Sequence, residues 1–233
     1  MCIRARSASD AAANSGTNDD LPMIFDALDA RHTDPSVASV DMSKDQAISW
    51  AQLSHVVDAI ALSLQEKGLK RGDRVSLLVP PGNNLTAAAY AVLKAGGVVV
   101  VADAGLGAAG MTRAVKASDP QWIIGEVPGL TLARGAGWPG RRISVTPLNA
   151  LTRRLLGVET SMTEMSRRWV KSHEKIDTPH LDDDAAVLFT SGSTGPAKGV
   201  RYTHRALGAL ATVLKRHFDV KPGTGLVAGF PPF

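Results

Sequence analysis

Cysteine is nearly missing from this chain of 233 residues; Cys2 is the only one. A disulfide within the chain is therefore impossible, and so is a zinc cluster built on cysteine thiolates. The simplest setting for such a sequence is a reducing cytoplasm. Aromatic residues make up only 5% of the chain, which leaves little for a surface that stacks nucleic-acid bases. Long apolar runs are missing too. The densest, Val98–Ala102, falls far short of the roughly 18–20 residues of a membrane-spanning helix. The opening Met1-Cys2-Ile3-Arg4-Ala5-Arg6 lacks the apolar centre of a secretory signal. A strong charge excess is also absent: 26 Lys and Arg stand against 22 Asp and Glu, a formal net charge of +4. That balance suits a small anionic ligand as well as a polyanion. With so few aromatics the expectation is no nucleic-acid partner, and with no long apolar run it is no membrane span.

What is present is an ordinary globular composition, 44% hydrophobic and 21% charged. Residues 1–20 carry no large apolar side chain after Ile3 and are expected to form a flexible leader. The spacing predicts a helix within Pro22–His32 and a hairpin of two short strands, Val37–Asp41 and Ala47–Trp50. A strongly amphipathic helix, Trp50–Lys67, follows, with Leu53, Val56, Val57, Ile60, Ala61 and Leu64 as its apolar face. Strands are then expected at Arg74–Pro80, Val98–Ala102 and Gln121–Gly125, separated by helices at Leu85–Ala95 and Ala108–Ser118. Near-continuous apolar strands alternating with helices predict an α/β fold, with layered parallel-rich sheets and helices on both faces. Further along, Arg142–Val145 reads as a strand and Leu148–Leu156 as a helix. Glu159–Lys175, carrying Arg167, Arg168, Trp169 and Lys171, reads as a basic surface helix or linker. A buried strand at Ala185–Thr190, a helix from about Thr203 to His217 and a last strand at Thr224–Gly229 complete the expectation.

The strongest chemical signal is Phe189-Thr190-Ser191-Gly192-Ser193-Thr194-Gly195-Pro196-Ala197-Lys198-Gly199-Val200. Within Thr190–Gly199 lie four hydroxyls, three glycines and one lysine. Glycine lets backbone N–H groups turn toward an anion with no Cβ in the way. Hydroxyl donors rotate to fit, and the Lys198 ammonium is a point charge suited to phosphate. The run leaves a buried strand, where open α/β sheets bind their ligands. It is not a Walker loop, which needs Gly-Lys followed by Ser or Thr. Nor is it a nucleophile elbow, since Ser191 stands two residues before Ser193 where the elbow needs glycine.

This run resembles the phosphate-loop signature of the adenylate-forming enzymes, which include acyl-CoA synthetases, peptide-synthetase adenylation domains and luciferases. Leu53 and Gly68-Leu69-Lys70-Arg71-Gly72-Asp73-Arg74-Val75 resemble that family's early helix and strand entry. Asn84–Gly97 resembles its Ala-rich helix, and Tyr202-Thr203-His204 the start of its next one. The resemblance spans residues 21–233 and implies the N-terminal portion of a large adenylation domain, cut short at its C-terminal end. It implies a carboxylic-acid substrate, ATP, and a thiol acceptor such as coenzyme A. Thr190, Ser191, Gly192, Ser193, Thr194, Gly195 and Lys198 would hold the phosphates, with Lys198 neutralising the departing pyrophosphate. Asp103-Ala104-Gly105-Leu106-Gly107 and Gly229-Phe230-Pro231-Pro232-Phe233 are most similar to fatty acyl-CoA ligases and to the β-lactone synthetases of olefin biosynthesis, which adenylate a hydroxy acid. The family's later motifs, including the glutamate that binds magnesium, do not occur, so the Mg2+ ligand is expected in a further portion of polypeptide. The chain alone is expected to be inactive.

Two other readings compete. Gly105-Leu106-Gly107-Ala108-Ala109-Gly110, between a strand and a helix and with Glu126 at the end of the next strand, has the layout of a dinucleotide-binding fingerprint. That layout makes an NAD-dependent oxidoreductase the rival enzyme class; against it, Asp103 and Ala104 intervene between strand and glycines, and an acid there would face the pyrophosphate. A truncated domain could alternatively serve as a non-catalytic nucleotide-binding or partner-binding module. The histidines show no metal-ligand spacing, and no metal-binding residue is assigned. His204, which follows the phosphate run and opens a helix, is read as a capping or solvent-facing residue ahead of a ligand-binding one, and Asp182–Asp184 as a solvated entry to the strand.

Overall fold

The computed structural model describes residues 2–4, 21–102, 104–168, 175–190, 198–221 and 223–225. The first elements are a strand β1 (Cys2–Arg4) and a single helical turn α1 (Asp26–Asp29). Strands β2 (Val37–Asp41) and β3 (Gln46–Ser49) form the expected antiparallel hairpin. Helix α2 (Trp50–Glu66) starts on a capping box. Ser49 accepts from the Gln52 N–H, and the Gln52 side chain accepts from the Ser49 N–H, satisfying two donors that a helix start leaves open.

Next come β4 (Arg74–Leu78), α3 (Asn83–Lys94), β5 (Val98–Ala102), a 3-10 turn at Ala104–Leu106, α4 (Gly107–Ser118) and β6 (Trp122–Gly125). After these follow α5 (Val127–Gly135), β7 (Arg141–Ser144), α6 (Ala150–Leu156), β8 (Val158–Ser161) and α7 (Met162–Ser166). The described chain closes with β9 (Asp184–Thr190), β10 (Lys198–Thr203) and α8 (His204–His217). One eight-stranded sheet has the order β1-β10-β9-β5-β4-β6-β7-β8, and every pairing in it is parallel except β9 with β10.

The central strands β4, β5, β6 and β9 are largely apolar because both faces of the sheet are covered there. Val75, Leu77, Val99, Val101, Trp122 and Ile124 join α2 and α3 in one core. The alternate residues serve the opposite face: Ile123 packs with Val115 of α4 and Leu130 of α5, while Val98 and Val100 pack with Ala114, Val187 and Phe189. Side chains alternate along a strand, so an unbroken run such as Val98-Val99-Val100-Val101 feeds two layers at once. Each fully buried aliphatic side chain contributes about 1.5–3 kcal/mol. Ala87, Ala88 and Ala91 are buried along α3, and their small size lets it lie close against α2.

Several expectations change. The helix predicted within Pro22–His32 contracts to the four residues of α1. Helix α5 was not anticipated, and the stretch read as a basic helix or linker contains β8 and α7, with residues 169–174 outside the described part. Cys2–Arg4, expected within a flexible leader, pairs in parallel with β10; residues 5–20 lie outside the described part. Thr224 is not in a strand, and residues 226–229 of that expected strand are likewise outside it. The largest change is β10. The Ser/Thr/Gly run connects two antiparallel strands rather than a strand and a helix.

Candidate functional site

Strand β9 lies beside β5 in parallel, with Ala102 opposite Phe189. The chain therefore leaves β9 at the same carboxyl edge of the sheet where the 3-10 turn follows β5. Open α/β sheets place ligands at that edge. Lys198 begins β10 directly opposite Thr190, the last residue of β9. The antiparallel ladder thus brings together the two ends of the predicted phosphate loop. Lys198 is exposed. The intervening Ser191, Gly192, Ser193, Thr194 and Gly195 lie outside the described residues.

The other end of the hairpin is held by three consecutive acids, each taken by an arginine from a different element. Asp182 accepts from Arg205 of α8 at 2.8 and 3.1 Å. Asp183 lies 3.5 Å from Arg71, in the turn before β4. Asp184 accepts from Arg201 of β10 at 3.1 Å. Asp183 and Asp184 are half-buried and anchor the strand, while Asp182 keeps the exposure expected of a solvated strand entry. Three acids ahead of an apolar strand could have suggested such anchoring, but the arginine partners are set by the tertiary fold. Arg71 also donates to the Thr178 carbonyl at 2.9 Å and to Asp177 at 3.1 Å, tying the segment before β9 to the β4 side of the sheet.

His204 opens α8 but does not cap it. The cap is the Thr203 hydroxyl, which accepts from the Ala206 N–H at 3.2 Å. The His204 ring is fully buried, edge-on to Phe25 with ring centres 6.2 Å apart. Among the described residues, neither ring nitrogen has a hydrogen-bond partner. Burial pulls its pKa down from 6.5 to about 4, with the Asp183 carboxylate opposing the shift. The expectation of a solvent-facing or capping histidine fails because the Met23–Leu28 segment folds over this helix start.

Sequence reasoning also missed Lys94. It is 6% exposed and paired with Asp29 of α1 and Asp58 of α2, so it joins three helices behind the sheet.

The second glycine-rich segment departs from the dinucleotide layout. There the strand carrying the ribose-binding acid lies next to the strand that feeds the glycines. In this sheet β4 separates β5 from β6. Glu126, at the end of β6, is 3.7 Å from Lys44. Gly105 falls in the 3-10 turn, and Gly107 opens α4 with φ +64°. Gly110 allows close packing within the helix start, since a Cβ there would lie 2.9 Å from Leu106 Cβ.

Among the described residues, no group of three or more His, Cys, Asp and Glu could hold a metal ion, and no helix is long and apolar enough to cross a membrane.

Comparison with known proteins agrees with this geometry. The chain is 33% identical over 190 residues to an olefin beta-lactone synthetase of Xanthomonas campestris, covering 81% of this chain and 34% of that protein. It is 26% identical over 196 residues to a long-chain-fatty-acid–CoA ligase of Mycobacterium tuberculosis, covering 84% of this chain and 37% of that one. The chain therefore spans about a third of the length of these curated relatives. In fold it resembles a luciferase-like enzyme of the mealworm Zophobas morio, with a TM-score of 0.71 at 19% identity, over 88% of this chain and 47% of that one. The profile of the AMP-binding enzyme family matches residues 26–233, most of the chain, and shows that the chain belongs to that family.

Proposed function

We propose that this chain is the N-terminal portion, residues 21–233, of the large domain of an AMP-forming acid–thiol ligase, and that it supplies the enzyme's grip on the ATP phosphates. The observation that carries this reading is the ladder pairing of Thr190 with Lys198, which sets a hydroxyl-bearing residue and an exposed ammonium at the two ends of a run rich in glycine, serine and threonine. Thr190, Ser191, Gly192, Ser193, Thr194 and Gly195 are assigned as donors to the β- and γ-phosphates, and Lys198 as the catalytic cation.

In the reaction, a carboxylate oxygen of the acid attacks the α-phosphorus of ATP. The bond to the bridging oxygen breaks, and pyrophosphate leaves with the electron pair. Negative charge grows on the departing group, so donors and a cation already aimed at it stabilise the transition state more than the ground state. Transfer of the acyl group to a thiol, with coenzyme A as the proposed acceptor, then releases AMP. The described residues offer no cluster suited to magnesium, so no step is assigned to a metal ion, and its ligand is proposed to lie in further polypeptide. That polypeptide is also proposed to complete the acid and adenine pockets, leaving the 233-residue chain inactive by itself. The single cysteine supports a cytoplasmic setting.

The proposed acid is a fatty acid. A second reading, a hydroxy acid carried on to a β-lactone, is favoured by the similarity to olefin beta-lactone synthetases. ATP–pyrophosphate exchange with a panel of fatty and hydroxy acids tests both. It should be run on this chain and on the longest in-frame polypeptide that contains it. Exchange in the longer form alone is the expected result, and the acids that support it identify the substrate class. Exchange in neither form would replace the ligase reading with a non-catalytic binding module.

A further inference from the structure

Gly199 stands directly across the ladder from Phe189, one pair inward from Lys198 and Thr190. Directly opposed residues of an antiparallel pair project on the same face of the sheet. The phenyl ring fills the space that a side chain at position 199 would need. A Cβ there would lie 3.0 Å from two ring atoms of Phe189 and 3.1 Å from a methyl group of Val187. The ring is itself confined. It is 8% exposed and belongs to the cluster of Val98, Val100, Ala114 and Val187, against which Ala102 and Leu106 also pack. Strand β10 is also bounded on its outer side, where Cys2 pairs with Gly199.

We infer that Phe189 and Gly199 form an interlocking cross-strand pair that sets the position of Lys198, and so act as positioning residues for the phosphate grip. Any side chain at 199 must displace either the caged ring or the backbone of β10. Displacing β10 carries Lys198 with it, because the two residues are adjacent. Small shifts matter at this distance from the chemistry, since a misplacement of about 1 Å can cost on the order of 100-fold in rate. The glycine after the lysine thus has a steric role distinct from any contact with ligand. Leu106 supplies part of the cage, which gives the second glycine-rich segment a mechanical part in the site.

This inference rests on the phosphate-binding reading, and the experiment separates the two. Affinity for inorganic tripolyphosphate is measured by calorimetry on the chain and its variants, alongside thermal melting. Gly199→Ala should weaken binding by about fivefold. Adding Phe189→Leu should bring the affinity back to within about twofold of the unsubstituted chain, as compensation between touching residues requires. Gly97→Ala is the control for crowding elsewhere: its Cβ would lie 2.9 Å from a Val92 methyl group, at the opposite edge of the sheet. It should lower the melting temperature and leave the affinity unchanged. If Gly199→Ala binds as the unsubstituted chain does, or if Gly97→Ala weakens binding equally, the positioning role is overturned and the phosphate reading stands. If the unsubstituted chain does not bind, or Lys198→Ala binds equally well, both fall. Should Gly199→Ala fail to fold, Phe189→Leu alone decides, because it removes the ring without adding atoms at 199; unchanged affinity there overturns the inference.

Discussion

Two glycine-rich segments start from the same carboxyl edge of one sheet, and only one carries the hydroxyls and the lysine that an anion site needs. The segment Gly105–Gly110 follows β5 and turns at once into α4, with Gly107 in the left-handed region and Gly110 packed on Leu106. Its glycines solve a problem of chain direction and packing. The segment Thr190–Gly199 has hydroxyls between its glycines and a lysine at its end, and the ladder returns that lysine to face its starting point. Glycine spacing alone therefore says little about ligands. What separates the two is the supply of donors and charge, and the sheet position of the neighbouring strand.

The sharpest way to test this contrast is to remove the charge. Lys198→Ala, in the catalytically competent polypeptide, should slow ATP–pyrophosphate exchange by about 100- to 1000-fold, the usual cost of losing one group that stabilises transition-state charge, with little change in melting temperature. Exchange at an unchanged rate would remove the distinction between the segments.

Acid should separate the two next. The native His204 holds its pKa near 4, while the unfolded chain titrates at the ordinary 6.5. Between these values the unfolded state binds more protons, so stability is complete above pH 6.5 and is lost as pH falls from 6.5 toward 4. The full loss is about 3 kcal/mol. Because His204 packs at the foot of the β9–β10 hairpin, β10 amides should gain in opening rate before those of the all-apolar β5. Hydrogen exchange, corrected for its intrinsic pH dependence, reads this directly. His204→Leu should flatten the dependence, and an equal slope in the variant would assign the acid sensitivity elsewhere.

The smallest expected effect is on the other segment. Gly107→Ala places a side chain at φ +64° with no neighbouring atom to strike, so it should cost about 1 kcal/mol from backbone conformation alone. Urea titration should show that loss with tripolyphosphate affinity unchanged. Weakened phosphate binding in this variant would mean the two segments form one site.

Much of the fold is legible in the sequence where a single period dominates. Helix α2 and strands β4, β5 and β6 lie close to their predicted spans because their apolar patterns match one periodicity each. Strand β10 was hidden for a physical reason. Lys198-Gly199-Val200-Arg201-Tyr202-Thr203 mixes charge, glycine and one aromatic, since the strand is only partly buried. Helix α5 was hidden because Val127-Pro128-Gly129 looks like a break, although proline in a first turn suits a helix start. The composition of the Thr190–Gly199 run could be read directly, but the pairing of its two ends across a ladder could not. Lys94, His204 and the arginines on Asp182–Asp184 depend on partners distant in sequence, and no local pattern announces them.

The sheet order also bears on how the chain matures. Strand β9 inserts beside β5 only after the chain has built β6, β7 and β8 on the far side of β4. Pairings between distant segments form slowly, because closing a long loop costs entropy before the contacts compensate. During synthesis, β5 must wait with one edge open until β9 has left the ribosome. Arg71 waits as long for Asp177 and Asp183. The strand pair that carries Lys198 therefore docks after β4 to β8 have been made, and a nascent chain would gain the proposed phosphate grip only once that part of the sheet is finished.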